Sequence, residues 1–275
     1  MGKREGIMLA GAFNERKFNK WVEEYGFVFV QPKLNGERLR WDGADLWTSE
    51  ANLCDSLPKV LEALHTLFPR IPLDGEAYVH GWTRQRIHSV VSRTVHLHPQ
   101  HDQVSFHVFD IPMTDYNQID RFRGMENKKS YFASTPNIVP VDTRIAKSLK
   151  DVETYTLSLV RHGYEGSIVR DPRGMYKALS RRYMMKWKPG GRDKYKLIEM
   201  LEGRGKYKGT LGALIVEAEN SDRFHVGSFK LTDGERNALW KKRKELEGKV
   251  WVQIRYTELT ERGVPPSGVF EMVIE

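Results

Sequence analysis

An apolar run leads into a lysine and a glycine-containing turn in Phe27-Val28-Phe29-Val30-Gln31-Pro32-Lys33-Leu34-Asn35-Gly36-Glu37-Arg38. The apolar residues predict a buried strand that ends near Lys33. A lysine there can act as a nucleophile once it has lost its proton, which desolvation or a nearby cation favours. Gly36 would let the backbone turn close to a ligand. On these residues alone, the preferred interpretation is an ordinary strand and turn with a surface lysine.

Four later segments change that preference because each carries charged or aromatic residues beside a predicted strand. They are Leu73-Asp74-Gly75-Glu76, Phe106-His107-Val108-Phe109-Asp110, Glu165-Gly166-Ser167-Ile168-Val169-Arg170 and Met184-Met185-Lys186-Trp187-Lys188-Pro189. In the last segment two lysines stand two residues apart, which would place them on one face of a strand. Each segment alone also fits a core strand, a turn or a solvated surface.

Together and in this order, the five segments resemble the nucleotidyltransferase superfamily of DNA ligases, RNA ligases and mRNA capping enzymes. That superfamily carries K-x-D-G-x-R, D-G-E, an aromatic segment ending in F-D, E-G-x-V-x-R and K-x-K. The segment from Tyr256 to Pro265 resembles the end of the barrel in small bacterial and viral DNA ligases. The resemblance covers nearly the whole chain and implies an ATP-dependent DNA ligase that seals nicks in duplex DNA.

The resemblance also implies roles for individual residues. Lys33 would attack the α-phosphate of ATP and hold AMP as a phosphoramidate. Gln31 would face the adenine edge, where these ligases usually have Glu, and Phe109 would stack on the adenine, with Phe106 as the less favoured choice. Glu76 would bind the ribose, and Arg38 would touch the AMP or the nick phosphate.

The remaining implied roles concern phosphates and a metal ion. Lys186 and Lys188 would contact the phosphates, and Glu165 would help to hold Mg²⁺ or Mn²⁺. Phosphoryl transfer depends mainly on in-line positioning and on neutralised charge, which cations near the phosphates supply. Mg²⁺ prefers the carboxylate and phosphate oxygens that Glu165 and ATP would provide.

Three positions depart from the family pattern. Asn35 stands where the motif has Asp, so an acceptor remains and a negative charge is lost. Ser49-Glu50 replaces the usual Ser-Arg after the predicted strand 46–48, which removes one expected nick-phosphate contact. Pro266 lies where related barrels often have a basic residue.

Composition narrows the class of protein. The chain has 275 residues, 40% of them hydrophobic, and a net charge of +8, which favours polyanionic partners such as nucleic acid, although solubility alone also explains it. The single cysteine, Cys54, excludes an internal disulfide and suits a reducing compartment. The sequence shows no signal peptide and no run of about 20 apolar residues, so we expect a cytoplasmic protein with no membrane partner. We also expect a monomer.

The predicted fold is α+β, with an adenylation domain followed by a small barrel. Eight basic residues and one acid lie between Lys177 and Lys196, and Pro189-Gly190-Gly191 breaks this run. We therefore predict a nucleotidyltransferase domain at residues 1–190 and an oligonucleotide-binding (OB) fold β-barrel at residues 191–275, with five strands and one helix.

Periodicity and capping patterns predict individual elements. A helix is expected at 57–68, and two more are expected to begin with the capping boxes Ser148/Asp151 and Thr232/Glu235, ending near Gly163 and Gly248. Strands are expected at 46–48, 104–111, 166–170, 195–201, 210–219, 224–227, 249–256 and 268–274.

Two other functions remain open from the sequence. An RNA ligase or capping enzyme would use the same lysine chemistry, and it would differ in its choice of ATP or GTP and of RNA or DNA. A non-catalytic nucleic-acid-binding protein with a decayed site is the other alternative, which Asn35 keeps open. ATP is expected rather than NAD because no extra N-terminal cofactor domain and no cysteine zinc site are seen.

Overall fold

The computed structural model describes residues 6–188, 190–229, 231–256, 260, 264–265 and 268–274. The chain forms two compact units, Met1–Trp187 and Lys188–Glu275. The predicted boundary at residue 190 stays a prediction. No helix in the described ranges is long and apolar enough to cross a bilayer.

The first unit contains two five-stranded sheets with helices packed against them. Its strands are β1 (Gly11–Ala12), β2 (Val28–Lys33), β3 (Glu37–Trp41), β4 (Leu46–Thr48), β5 (Leu73–Tyr78), β6 (Ser105–Asp110), β7 (Ile138–Pro140), β8 (Arg144–Ala146), β9 (Gly166–Arg170) and β10 (Met184–Trp187). Its helices are α1 (Glu15–Tyr25), α2 (Pro58–Leu67), α3 (Arg84–Val91), α4 (Gln118–Glu126), α5 (Lys129–Ala133) and α6 (Leu149–Arg161).

The first sheet has the order β1-β10-β9-β2-β8 and contains the lysine strand. In its ladders Gln31 opposes Ile168, Ile168 opposes Lys186, and Lys33 opposes Gly166. Residues that face each other across strands point to the same side, and side chains alternate along each strand. Gln31, Lys33 and Lys186 therefore share one face.

The opposite face of the first sheet is apolar and is covered by α1 and α6. Val30, Val169 and Met185 pack there against Phe18 and Val152 in one buried cluster. This packing fixes which face β2 buries, so Gln31 and Lys33 must project from the other one.

The second sheet has the order β4-β3-β5-β6-β7. One face joins the largest core cluster, where Leu39, Ala77 and Phe106 meet Ile87 of α3 and Leu64 of α2. The other face carries polar residues because Arg38 opposes Glu76 and Glu76 opposes His107.

A β-bulge interrupts the pairing of β5 with β6. Asp74 opposes Asp110, whereas the next residue, Gly75, opposes Val108, which leaves Phe109 as the extra residue. The bulge lets Val108 stay in the core while Asp110 turns to the polar face with Asp74.

Several predicted elements of the first unit are confirmed. Strands 46–48 and 166–170 have the predicted bounds, and α2 ends at Leu67, just before the predicted stop. The capping box of Ser148 and Asp151 is present at the start of α6, and Gly163 lies just beyond its end with φ 84°.

The second unit is a six-stranded sheet with two short helices. Its strands are β11 (Gly191–Glu202), β12 (Leu211–Glu217), β13 (Arg223–Val226), β14 (Ser228–Phe229), β15 (Trp251–Tyr256) and β16 (Gly268–Ile274), in the order β13-β12-β11-β15-β16-β14. A separate apolar core joins Leu197, Leu214, Val252 and Phe270 among its buried residues.

Two predictions for the second unit were incomplete. The five expected strands are present, and the two-residue β14 adds a sixth in the described part of the chain. The expected single helix is two helices, α7 (Asp233–Lys241) and α8 (Arg243–Leu246). Arg243 donates to the Trp240 carbonyl at 2.9 Å and stacks on the Trp240 ring, which stabilises the end of α7. The predicted capping box of Thr232 and Glu235 is confirmed.

Candidate nucleotide-binding site

Lys33 is the last residue of β2, and its ammonium forms an ion pair with Glu165. The two side chains are 21% and 23% exposed, so both can be reached from solvent. Glu165 immediately precedes β9, and its backbone N–H donates to the Lys33 carbonyl at 3.3 Å. The antiparallel pairing of β2 with β9 therefore brings together two residues that are distant in sequence.

Glu76, in the middle of β5, is held beside the turn that follows Lys33. Its Oε1 accepts a hydrogen bond from the Gly36 N–H at 2.7 Å. Burial raises the pKa of Glu76 to about 7, although Arg38, the Gly36 N–H and Lys33 favour its ionised form. A carboxylate in this position can accept hydrogen bonds from ligand hydroxyl groups.

Gly36 is required at this turn by packing. A Cβ atom there would lie 2.1 Å from the Ala77 carbonyl oxygen and 3.0 Å from Cγ of Glu76. Its φ is not in the left-handed region. The glycine therefore permits close approach to β5, whereas the sequence led us to expect a turn close to a ligand.

Arg38 is tied to Asp74 by two charge-assisted hydrogen bonds. Its Nε donates to Oδ1 at 2.7 Å and its Nη2 to Oδ2 at 2.6 Å. The Tyr176 hydroxyl donates to the same carboxylate at 2.7 Å and accepts from the Met8 N–H at 3.2 Å. Burial alone would lower the pKa of Arg38, but Asp74 outweighs it and raises that pKa. The site thus holds a permanent and oriented cation.

Phe109 lies at the bulge with two guanidinium groups near its ring. The ring centre is 4.5 Å from Cζ of Arg38 and 5.3 Å from Cζ of Arg170. Phe109 is 9% exposed, whereas Phe106 is fully buried in the core beneath Gly75. The structure therefore brings Phe109 into the site and leaves Phe106 outside it.

Gln31 is buried, and both N–H donors of its amide are used. Nε2 donates to the Phe109 carbonyl at 3.0 Å and to the Thr143 hydroxyl at 2.9 Å. Oε1 accepts from Nε of Arg170 at 2.7 Å. Because Arg170 has only donors, this contact fixes which end of the amide is oxygen, and one lone pair of that oxygen remains.

Behind Gln31 lies a buried ionic network that the sequence did not reveal as a unit. Asp110 accepts from Arg121 at 2.8 Å and from Arg170 at 2.7 Å. Gln118 accepts from both guanidiniums, at 2.7 and 3.2 Å. Burial would raise the pKa of Asp110, but the two arginines hold it below its ordinary value. Asp110 and Arg170 end two of the motifs described above, whereas Arg121, Gln118 and Thr143 belong to none.

Lys186 and Lys188, the two lysines of the K-x-K segment, differ in their structural settings. Lys186 is exposed on β10, on the same face as Lys33 and two strand spacings from Gln31, or about 10 Å. The prediction that Lys188 shares a strand face with it is wrong because β10 ends at Trp187, and Lys188 belongs to the second unit. Pro189 follows in the sequence, and proline lacks the N–H that a ladder requires.

The three departures from the family pattern have different structural outcomes. Asn35 is partly exposed in the turn after Lys33, Ser49 is buried in the turn after β4, and Glu50 beside it is partly exposed. Pro266 and most of the segment from Tyr256 to Pro265 lie outside the described residues. Within the described ranges, no three side chains of His, Cys, Asp or Glu are grouped so as to hold a metal ion.

The two sheets and this set of side chains define an adenylating nucleotidyltransferase domain, and an OB-like domain follows it. Family comparison agrees: the ATP dependent DNA ligase domain matches residues 7–188, and the DNA ligase OB-like domain matches residues 202–273. The chain belongs to the ATP-dependent DNA ligase family.

Individual relatives are consistent with that membership. A DNA ligase from a Kenyan isolate of African swine fever virus is 30% identical over 263 residues, which cover 86% of this chain and 61% of the viral protein. The ligase of the Badajoz strain is 27% identical over 271 residues, covering 89% and 63%. The chain thus spans about three-fifths of the length of these relatives.

Solved structures share the fold. A structure from a study of DNA binding by Lig E DNA ligases has a TM-score of 0.64 and 24% identity, covering 98% of this chain and 99% of that one. The Chlorella virus DNA ligase-adenylate has a TM-score of 0.57 and 19% identity, covering 99% of both chains. The ATP-dependent DNA ligase of bacteriophage T7 with ATP has a TM-score of 0.57 and 15% identity, covering 98% of both.

Proposed function

We propose that this chain seals nicks between a 5′-phosphate and a 3′-hydroxyl in duplex DNA, using ATP and a covalent AMP on Lys33. The observation that carries the proposal is the Lys33–Glu165 ion pair, which lies where β2 ends and β9 begins, with Glu76 held beside the turn that follows Lys33. A nucleophilic amine, a carboxylate partner and an oriented cation are the groups that nucleotidyl transfer requires.

In the first step, the Lys33 amine attacks the α-phosphorus of ATP. A nitrogen–phosphorus bond forms, the bond from the α-phosphorus to the bridging oxygen breaks, and pyrophosphate leaves. Lys33 must first lose a proton, and the Glu165 carboxylate is in contact with Nζ to receive it. We assign the stabilisation of phosphate charge to Lys186, which lies on the same face of the sheet.

The nucleoside would be held by the residues that surround the lysine. Phe109 supplies a ring for the base, Gln31 presents its amide oxygen, and Glu76 is available to the ribose hydroxyls. Arg38 is committed to Asp74, so we assign it to orienting the base platform and to the field around the phosphates. Lys188 remains a proposed phosphate contact on the basis of its motif alone.

Mg²⁺ or Mn²⁺ fits the donor set because Glu165 offers carboxylate oxygens and ATP offers phosphate oxygens. When bound, such an ion neutralises phosphate charge and makes pyrophosphate a better leaving group.

In the second step, AMP moves from Lys33 to the 5′-phosphate at the nick, which regenerates the amine. In the third step, the 3′-hydroxyl attacks that phosphate, a phosphodiester bond forms and AMP leaves. We assign the chemistry to residues 1–190 and a DNA-engaging role to residues 191–275. We also expect a monomer in a reducing compartment, with which the buried free thiol of Cys54 is compatible.

Intact-protein mass spectrometry tests the first step. After incubation with ATP and Mg²⁺, the native chain should gain one AMP and Lys33→Ala should gain none. Labelled GTP in place of ATP, and nicked RNA in place of nicked DNA, separate this activity from capping and from RNA joining. An AMP adduct that persists in Lys33→Ala would overturn the assignment.

A further inference from the structure

Tyr176 is buried within a stretch of exposed residues. It lies in the connection between β9 and β10, where residues 175 and 177–179 are exposed and Tyr176 itself is only 4% exposed. Its ring belongs to a small buried cluster with Met8 and Met184. The tyrosine lies outside the five segments that carry the family resemblance, so its burial there requires an explanation of its own.

The Tyr176 hydroxyl completes a ring of hydrogen bonds among four residues. It donates to Oδ2 of Asp74 at 2.7 Å and accepts from the Met8 N–H at 3.2 Å. Asp74 also accepts from Nε and Nη2 of Arg38, and the same Nη2 donates to the Met8 carbonyl at 3.3 Å. Burial and the charge of Asp74 raise the pKa of Tyr176, so the hydroxyl keeps its proton and remains a donor at neutral pH.

The backbone around Tyr176 is held in place by the segment that precedes α1. The Leu179 N–H donates to the Ile7 carbonyl at 2.8 Å, and the Leu9 N–H donates to the Ser180 carbonyl at 2.9 Å. Leu179 has φ 62°, a conformation that costs free energy for a residue with a side chain and persists only where the surrounding contacts enforce it. The fold therefore fixes the position from which the Tyr176 hydroxyl donates.

The orientation of Arg38 depends on this donor. A guanidinium paired bidentately with a carboxylate is held only as firmly as the carboxylate itself. Asp74 is 1% exposed, so its oxygens depend on protein donors. Cζ of Arg38 lies 4.5 Å from the centre of the Phe109 ring, the proposed platform for the base. Loss of the phenol donor would therefore loosen Asp74, then Arg38, and then the support of that ring.

We propose that Tyr176 is a positioning residue for nucleotide binding. Its hydroxyl holds Asp74, Asp74 orients Arg38, and Arg38 supports the Phe109 ring against the base. This inference rests on the proposed function, because it takes Phe109 as the ring that receives the adenine of ATP. It gives the connection between β9 and β10 a part in ATP affinity and no part in the transfer step.

The first test separates ATP affinity from transfer. AMP adduct formation by the full chain, followed by intact-protein mass spectrometry over an ATP series, gives the half-saturating ATP concentration and the rate at saturation. In Tyr176→Phe the half-saturating concentration should rise about tenfold, the effect expected for loss of one hydrogen bond to a charged group. The saturated rate should stay within about twofold of the native rate, because ATP and the transition state lose the same interaction. A tyrosine that only supports the fold would lower the fraction of protein that reacts and leave the half-saturating concentration unchanged.

A combined variant tests the route through Arg38. Arg38→Lys keeps a cation and cannot form the two parallel bonds to Asp74. Adding Tyr176→Phe to Arg38→Lys should therefore change the half-saturating ATP concentration by less than about twofold, because the two substitutions interrupt one chain of contacts. A further tenfold rise in the combined variant would show that Tyr176 acts by another route, and the proposal would be wrong.

Tyr155→Phe is the matched control. The Tyr155 hydroxyl donates to the Asp142 carboxylate at 3.1 Å, and α6 places it on the covered side of the first sheet. This variant should keep the native half-saturating concentration and rate. If circular dichroism shows Tyr176→Phe unfolded in buffer, all titrations are repeated in trimethylamine N-oxide, which favours the compact state. A native half-saturating concentration in folded Tyr176→Phe would overturn the proposal.

Binding of α,β-methylene-ATP distinguishes this proposal from the proposed function. The methylene group replaces the bridging oxygen, so Lys33 cannot displace pyrophosphate, and calorimetry of the full chain measures affinity alone. Tyr176→Phe should bind the analogue about tenfold more weakly than the native chain. Equal binding by the two proteins would refute the positioning role, even if the native chain forms the adduct. Weaker binding by the variant, with no adduct in the native chain, would refute the lysine chemistry alone. A native chain that neither reacts with ATP nor binds the analogue would refute both.

Discussion

Gln31 occupies a position where related ligases usually have Glu, and its surroundings suit an amide. Both of its N–H groups are donated, to the Phe109 carbonyl and to Thr143. A carboxylate would place an oxygen about 3 Å from that carbonyl and would leave it without a donor. The family residue is therefore the wrong one for this chain.

We expect Gln31→Glu to lower the free energy of unfolding by about 1–3 kcal/mol, the cost of leaving a buried acceptor unsatisfied. Urea denaturation, monitored by tryptophan fluorescence, measures this loss in the free energy of unfolding. Thr143→Val, which removes one of the two acceptors and adds no charge, should cost less. A Gln31→Glu variant as stable as the native chain would show that the Phe109 carbonyl finds another donor.

Glu76 provides a prediction about pH. Its pKa rises to about 7 in the folded protein, mainly through burial, from an ordinary value of 4.5. The folded state then binds the proton more tightly than the unfolded state, so the stability associated with this group is present below pH 4.5 and is lost as pH rises through 7. Glu76→Gln keeps an acceptor for the Gly36 N–H and cannot ionise.

The melting temperature of Glu76→Gln, relative to the native chain, should therefore increase between pH 5 and pH 8. Differential scanning fluorimetry at half-unit intervals checks this. A difference that stays constant with pH would mean that the carboxyl group titrates normally in the folded protein. The variant should also form less AMP adduct above pH 7, where the native Glu76 is ionised and the substitution removes a charged acceptor for the ribose.

At the scale of helices and strands, the turn between β2 and β3 depends on close backbone approach. We expect Gly36→Ala to destabilise the fold by about 1–3 kcal/mol, the usual cost of overpacking, because its Cβ would meet the Ala77 carbonyl at 2.1 Å. Thermal unfolding measures the loss, and AMP adduct formation should fall with it.

Gly124→Ala is the matched control for that substitution. Gly124 lies inside α4, and a Cβ there would meet only Cδ1 of Ile111 at an ordinary 3.5 Å. Alanine should stabilise this helix by about 0.5–1 kcal/mol. Equal effects of the two substitutions would contradict the packing explanation for Gly36.

The elements that the sequence predicted are those with strong local signals. The capping boxes at Ser148 and Thr232 place two helix starts correctly because they depend only on residues three apart. Helix α3 has eight residues, and strands such as β1 and β8 have two or three, which is too few for a period to show.

The residues of the candidate site were also predictable only where a local sequence motif marks them. The motifs predicted the neighbours of Lys33, whereas the partners of Gln31 could not be inferred, since Thr143 and Arg170 are 112 and 139 residues away in sequence. Tertiary packing determines which hydrogen bonds a side chain already forms. The spacing of residues in the sequence gives no information about that packing.

At the scale of the whole molecule, each of the two units has apolar clusters of its own, and we propose different roles for the two units. We expect residues 1–190 alone to bind nicked DNA more weakly than the full chain and with a shallower salt dependence. The second unit contributes the exposed cations Arg192, Lys194 and Lys196 on β11, and each lost phosphate contact reduces the slope by about 0.9.

Anisotropy titrations of the fragment and the full chain across a salt series measure this difference. Circular dichroism of the fragment, compared with that of the full chain, establishes that it is folded. Equal slopes for the two proteins would mean that the second unit makes no phosphate contact, and the division of roles would then be wrong.

The extra residue in β6 has a consequence for how this protein can change over time. Positions along a strand alternate between two sides like odd and even numbers, and Phe109 shifts the count by one between Val108 and Asp110. Deleting Phe109 would restore an unbroken alternation and leave Asp110 on the polar face opposite Asp74, so the loss would be the ring that lies beside Arg38 and Arg170. A one-codon deletion there would therefore remove the candidate ring for the base without reversing the two faces of the strand.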